Sequence, residues 1–392
     1  MHPTYSASRE GQGRCPIGAN LSLRGHGAIG FSAGMPRSAS LLSGNWPAVI
    51  AAVGGSVDLE ATARQFGALR RKRKIKTAEA LLRLALMWGP GRLSLREAAA
   101  LAGEAGIGEL SDKAVEGRLR KMGDWLAHIL AMLLADRIGV PACAGDTDLA
   151  LSLVDGSVVC APGKGQDWRL HARYDPGQGR FADLVLTTTR EAEAADRTRI
   201  CPGRVLIMDC GYARVRNFKA IVANAGDFIT RLSWSSVQLY DAEGSRIDVP
   251  ALLADTHQTR EVPVWIKGIA HPFRLVMQPL PAEAAERQRA RRRRKANRNS
   301  HKIDPRTIQA AGFLMVLTSL PAAQPPVRIT ELYRNRWQVE IGIKRLKTLG
   351  GLDELRSADP VLARTWLLAH LIAAVLTDDL ANEIVGFPPS AG

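Results

Sequence analysis

The sequence predicts an α/β protein in which a helical N-terminal region precedes a sheet with helices set among its strands. Three observations predict it. Between Val57 and Leu134 apolar residues recur at three- and four-residue steps, as in Leu81, Leu82, Leu84, Ala85 and Leu86, the period of helices that pack through one face. After Cys143 the period shortens toward two, and short apolar runs bounded by turn residues take over. Beyond the third of these runs, helical and extended segments alternate.

A chain of 392 residues that is 46% hydrophobic can bury a sizeable core and has room for two or three domains, so it needs no disulfide staples. Lys and Arg number 53 against 38 for Asp and Glu, a net charge of +15, which favours a polyanionic partner, most commonly nucleic acid. An anionic membrane surface is the weaker alternative. The longest apolar runs, Trp366 to Leu376 and Trp125 to Ala135, are each interrupted by a His and fall short of the roughly 20 residues that span a bilayer, so no membrane partner is expected. Cys15, Cys143, Cys160, Cys201 and Cys210 form no C-x-x-C pair and have no His at zinc-ligand spacing. They read as reduced, mostly buried thiols of a cytoplasmic protein. Residues 1–45 lack the apolar core of a secretory signal and read as a disordered lead, with Met35 as an alternative start.

In the helical region a basic cluster, Arg70 to Lys74, comes first. Ser94 and Glu97 have capping-box spacing and open a helix running to about Gly103. After a turn at Gly106 to Gly108, Ser111 opens another helix, with Arg118, Arg120 and Lys121. Two readings stand: a helix-turn-helix that docks on DNA, and an ordinary helical hairpin with a solvated basic face.

Leu149 to Val159, Trp168 to Tyr174 and Phe181 to Thr187 read as three strands, with Pro176 and Gly177 turning between the last two. A short Ala- and Glu-rich helix over about 190–198, a strand Val205 to Met208, a helix Ala213 to Asn224 and a strand Phe228 to Leu232 follow. That order is that of a ribonuclease-H-like domain. Between Ser233 and Leu320 the pattern is interrupted by a mainly β insertion, with strands near Glu261 to Ile266, Phe273 to Gln278 and Phe313 to Thr318. Within it lies the run Arg287 to Arg298, whose density of one charge sign, Arg291, Arg292, Arg293 and Arg294 at its centre, suits DNA phosphates; the plain alternative is a solvated face.

The most specific feature is a helix read over Glu331 to Lys347. At about 100° per residue, Tyr333, Arg336, Glu340 and Lys347 share one stripe about 60° wide. Leu332, Val339, Ile343 and Leu346 form an apolar stripe beside it that would dock the helix on a core. One carboxylate flanked by a phenol and two cations suits a metal-bound phosphodiester: Glu340 ligates the ion while Arg336 and Lys347 hold phosphate oxygens.

The spacing Y-x2-R-x3-E-x6-K resembles the YREK signature of DDE transposases of the insertion-sequence-4 group, and the likeness extends from about Arg70 to Leu376. The resemblance implies two more catalytic carboxylates. Val154-Asp155-Gly156-Ser157, at the end of the first strand, matches the family's D-G-S/T, and Met208-Asp209-Cys210-Gly211-Tyr212 looks like its D-R-G-Y with Cys210 in place of Arg. Asp155, Asp209 and Glu340 would then be both catalytic residues and ligands of two Mg2+ ions, for which Mn2+ can substitute. Tyr333, Arg336, Lys347, Trp337 and Arg291 to Arg294 would bind DNA, with Trp337 positioned to stack on an unpaired base. Trp234 and Trp265 of the insertion are further candidates for DNA contact.

The resemblance further implies a nucleoid-associated homodimer that binds double-stranded DNA, cleaves the inverted-repeat ends of its insertion sequence and joins the 3′ ends to target DNA. Alternatives are a DNA-binding protein of transposase descent that no longer cuts, and a metal-dependent nuclease that does not join. The corresponding domains are the lead (1–45), a helical DNA-binding domain (46–145), the catalytic core in two parts (146–232 and 321–358) around the insertion (233–320), and a C-terminal helical segment (359–392).

Overall fold

Short polar residues cap several of the N-terminal helices in the computed structural model, which describes residues 46–55, 57–138, 149–300 and 302–385. These helices are α1 (Trp46–Gly54), α2 (Leu59–Gln65), α3 (Ala78–Trp88), α4 (Leu95–Glu104), α5 (Asp112–Leu119) and α6 (Gly123–Ile138). Asp58, Thr77, Ser94 and Ser111 each accept the backbone N–H three residues on, which satisfies one orphan donor of the first turn. Glu97 returns the bond to Ser94 N at 2.7 Å, completing the capping box. The turn between α4 and α5 uses Gly106 at φ 70° and Gly108 at φ 139°; a Cβ at Gly108 would also lie 2.8 Å from the Lys74 carbonyl oxygen, so glycine is required there. The lead, Met35, Cys15 and Cys143 lie outside the described residues.

The sheet strands are β1 (Ala150–Val159), β2 (Trp168–Asp175), β3 (Arg180–Thr188), β4 (Arg204–Met208), β5 (Asp227–Arg231), β6 (Arg260–Val264), β7 (Phe273–Pro279) and β8 (Phe313–Thr318). They form one sheet in the order β3-β2-β1-β4-β5-β8-β7-β6. β1, β2 and β3 are an antiparallel meander whose tight turn is held by Asp175 Oδ1, which accepts from Gly177 N and Gln178 N. β4 and β5 run parallel to β1, with α7 (Val215–Ala223) as the crossover between them. The expected helix over 190–198 is reduced to a single 3-10 turn, Ala195–Arg197, because this segment packs as a loop between strand ends.

The insertion strands differ from the expectation in one respect: they extend the central sheet. β8 pairs antiparallel with β5 through Ile229↔Thr318, and β7 and β6 follow outward. The open edge of β5 is thereby covered, which satisfies its backbone groups. α8 (Val249–Ala254) precedes β6, and between β7 and β8 the chain forms α9 (Ala282–Arg298) and α10 (Pro305–Ala310). α9 contains the whole basic run, in which Ala, Arg, Gln and Lys, all of high helix propensity, make up every position but Asn297.

The expected Glu331-to-Lys347 helix is broken in two. α11 (Pro326–Arg334) and α12 (Trp337–Thr348) meet at Asn335 and Arg336, where Asn335 N, Arg336 N and Gln338 N each bond three residues back, which tightens the turn. The apolar stripe holds across the break: Leu332, Val339, Ile343 and Leu346 are all buried. α12 can approach β2 and β3 closely because residue 342 is glycine; a Cβ there would lie 2.9 Å from the Phe181 ring.

α13 (Pro360–Val385) packs on α3 and α6 through Trp366, Leu367, Leu371 and Ile372. The Pro360–Asp379 stretch reaches 20 residues at mean hydropathy 1.5, so the apolar run is longer than its His interruption suggested. With 72% of that stretch buried inside the protein, it is accounted for as a core helix. The sheet separates two cores. Alternation sends Leu151, Leu153, Ile207 and Ile229 toward α3, α6, α12 and α13, and Val154, Leu206, Met208 and Phe228 toward α7 and α8. The thiols correct another expectation: Cys160 is exposed, and Cys201 and Cys210 are half-buried.

Candidate active site

β1 and β4 are in register through Val154↔Met208. Asp155 and Asp209 each come next along their strands, and because parallel neighbours in register point to the same face, both carboxylates project toward the α12 side of the sheet. The same row continues into β5, where Met208 pairs with Thr230 and Arg231 follows. Thr230 Oγ1 lies 3.4 Å from the carbonyl oxygens of Met208 and Asp209, tying down the turn that leaves β4.

From the other side, the junction of α11 and α12 brings Arg336 in. Its guanidinium is 3.8 Å from Asp155 and is paired with Glu340, one helical turn on. Tyr333 is buried, its ring 6.0 Å from the same guanidinium. Burial pushes the Asp155 carboxyl up to about 6; the nearby negative charges of Glu340 and Asp209 push the same way, and the Gly156 N–H and Arg336 oppose them. Burial pushes the Tyr333 hydroxyl up to about 12, so it remains a neutral donor.

Asp155, Asp209 and Glu340 are thus electrostatic neighbours, but among the described residues no three acidic, His or Cys side chains converge closely enough to share an ion. Arg336 stands where charge is needed. The donor chemistry fits a hard divalent cation: three carboxylates, no imidazole, and a Cys210 thiol that burial and Asp209 hold protonated. Lys347 is engaged within the protein. Its Nζ donates to the Val158 carbonyl at 2.6 Å and pairs with Asp353 at 3.1 Å, so it fastens α12 to β1.

Comparison with known proteins gives the same direction. The family described as "Transposase DDE domain" matches residues 147–376. The chain is 38% identical over 361 residues to the "Putative transposase InsL for insertion sequence element IS186A" of Escherichia coli (strain K12), covering 89% of this chain and 97% of that protein. It is also 38% identical over 362 residues to the "Transposase for insertion sequence element IS421" of Escherichia coli. This chain belongs to the DDE transposase family. As an enzyme of that family it is an α/β protein with a mixed eight-stranded sheet, and its family uses divalent metal and acts on DNA.

Arg231 of this transposase was not visible in the sequence patterns, and it joins Arg292 of the basic run near the site. Arg231 and Arg292, with Trp234 and Thr307, line a hollow of about 60 Å³ beside Cys210, and both arginines act on its thiol. Positive charge thus reaches the place where the family pattern has Arg. Glu193 was also missed; it lies against Gly156 and Gly211. Trp337 is 55% exposed on α12 and free to meet a ligand. Trp234 bonds Thr307 and carries Arg306 on its ring at 4.6 Å, an internal role as a strut for α10. In the α4–α5 hairpin, Arg120 is tied to Glu116 and Asp359, leaving Arg118 and Lys121 for any outside partner.

Proposed function

We propose that this chain is a transposase of the YREK group that binds the inverted-repeat ends of its insertion sequence as a homodimer, cleaves them and joins the 3′ ends to target DNA. One observation carries this reading: Asp155 and Asp209 follow the last paired residues, Val154 and Met208, of two adjacent parallel strands, while Arg336 links Asp155 to Glu340 across the gap. The three carboxylates would hold two Mg2+ ions, which when bound activate water and stabilise the leaving 3′ oxygen. Arg336 moves from the carboxylates to a phosphate oxygen as the ions enter, since a guanidinium forks onto either anion. Tyr333 donates to the backbone beside the cut, Trp337 offers an exposed ring for an unpaired base, and Lys347 keeps α12 seated on β1. Residues 46–145 and α9 hold the flanking duplex through phosphates.

The test is a gel-shift assay on terminal-repeat DNA, run beside strand-resolved cleavage and joining, for wild type, Asp209→Asn and Glu340→Gln. Wild type should bind, nick and join in Mg2+; both variants should bind with equal or greater affinity and lose cleavage by several orders of magnitude. Tight binding by wild type without nicking or joining in Mg2+ or Mn2+ would replace this reading with that of a DNA-binding protein of transposase descent.

A further inference from the structure

Directly behind the aspartates, on the face of the sheet turned away from α12, lies a carboxylate that the chemistry above does not use. Glu193 sits in the loop between β3 and β4. Its Oε1 is 2.8 Å from Arg169 Nη1, and Arg169 stands on β2 opposite Val158, the residue whose carbonyl holds Lys347. The two glycines that follow the aspartates in D-G and D-C-G both face this carboxylate. A Cβ on Gly156 would lie 3.1 Å from Glu193 Oε1, and one on Gly211 would lie 2.6 Å from Oε2.

A second, independent tie joins the same segments. Asn217, buried on α7, accepts the Ala195 N–H at 3.0 Å and donates to the Tyr212 carbonyl at 2.8 Å. The loop carrying Glu193 is therefore fastened to the turn that follows Asp209, and Glu193 itself reaches from that turn to the stretch of β1 beside Asp155. The Tyr212 hydroxyl is buried in the same place without a partner of its own among the described residues.

We propose that Glu193, held by Arg169, is a positioning residue that sets the separation of Asp155 and Asp209 from the opposite face of the sheet. The proposal rests on the reading of those aspartates as metal ligands. Asp155 and Asp209 are far apart in the chain and no local turn fixes their spacing, and outer partners that fix ligand orientation commonly change metal affinity by about 10- to 100-fold when removed. The glycines border the same wedge: a side chain at 211 would displace the carboxylate, and one at 156 would press on it.

The experiment measures Mn2+ binding by calorimetry on DNA-free protein, and the Mg2+ dependence of terminal-repeat cleavage, for wild type, E193Q, E193A, G211A and the G211A/E193A double variant. E193A should raise the Mn2+ dissociation constant and the Mg2+ half-saturation by about tenfold or more, with unchanged DNA affinity in gel shift. E193Q, which keeps the volume and loses the ion pair, should fall between E193A and wild type and serves if E193A does not fold. G211A should weaken metal binding by expelling the Glu193 carboxylate, so the double variant should be no worse than E193A alone. Unchanged Mn2+ affinity in E193A and E193Q, or additive losses in the double variant, would overturn the brace alone. A wild-type protein that binds no Mn2+ would overturn the reading of the aspartates, and the brace with it.

Discussion

The Arg336 guanidinium lies 3.8 Å from the Asp155 carboxylate, across the gap between a helix junction and β1. Because the same guanidinium pairs with Glu340, it neutralises in place two of the three groups proposed to take metal. Arg336→Ala should therefore have opposite effects on two ligands. At pH about 8, with Asp155 ionised, Mn2+ affinity of the DNA-free protein should rise several-fold as a competing cation is lost. Terminal-repeat DNA should bind more weakly, and joining should fall more than first-strand nicking as the phosphate loses its clamp. Calorimetry and strand-resolved assays check both; a parallel loss of metal and DNA binding would assign Arg336 a role in folding.

α9 gives a salt-dependence prediction. Arg293 is paired with Glu286 at 3.0 Å, whereas Arg291, Arg292 and Arg294 are exposed. Replacing Arg291 to Arg294 with Gln should lower the magnitude of the log K against log salt slope by about three, near 0.9 for each unpaired cation, on any duplex sequence. Fluorescence anisotropy at stepped salt concentrations reads it. An unchanged slope would leave α9 a solvated face.

Stability should depend on two buried histidines. Burial pulls His370, whose ring lies tilted 3.6 Å from that of Trp366, down to about 4, and His171 likewise. A depressed folded value means the contribution is complete above the ordinary value of about 6.5 and is lost as pH falls through about 4. Each histidine should cost about 2 kcal/mol of unfolding free energy between pH of about 6.5 and 4.5. His370→Leu should flatten part of that slope in denaturant titrations, His171 supplying the remainder; a slope unchanged by the substitution would show that His370 does not titrate there.

The strands and the Glu340 helix rest on local patterns in the sequence, period two for β1 to β3 and four side chains at fixed helical spacing for Tyr333 to Lys347, whereas Asp155 and Asp209 were reached only through the family resemblance. What escaped depends on partners distant in the chain. The helical wheel runs smoothly through Asn335 and Arg336, and only the docking of α12 on β2 and β3 reveals the break. Lys347 lies on the predicted stripe, yet it points to Val158 because β1 passes beneath it. Arg190 to Arg197 has the composition of a helix, but its ends are fixed by β3 and β4, and Glu193 acquires its neighbours from β1 and from the turn after β4. Strand patterning in the insertion gave the right segments without showing that the edge of β5 was waiting for them.

The pairing of β7 with β8 has a consequence for how such a protein can change over time. Pro279 pairs with Phe313, and Leu280 N bonds the Gly312 carbonyl at 2.9 Å, so the chain departs toward α9 and returns from α10 at neighbouring points one strand spacing apart. The arginine-bearing arm is attached like a handle, with both its roots on a finished hydrogen-bonded ladder. Lengthening, shortening or recharging that arm leaves every strand register intact, and loop-closure entropy grows only slowly with its length. Whatever that arm holds can therefore be retuned while the row that bears Asp155 and Asp209 stays where it is.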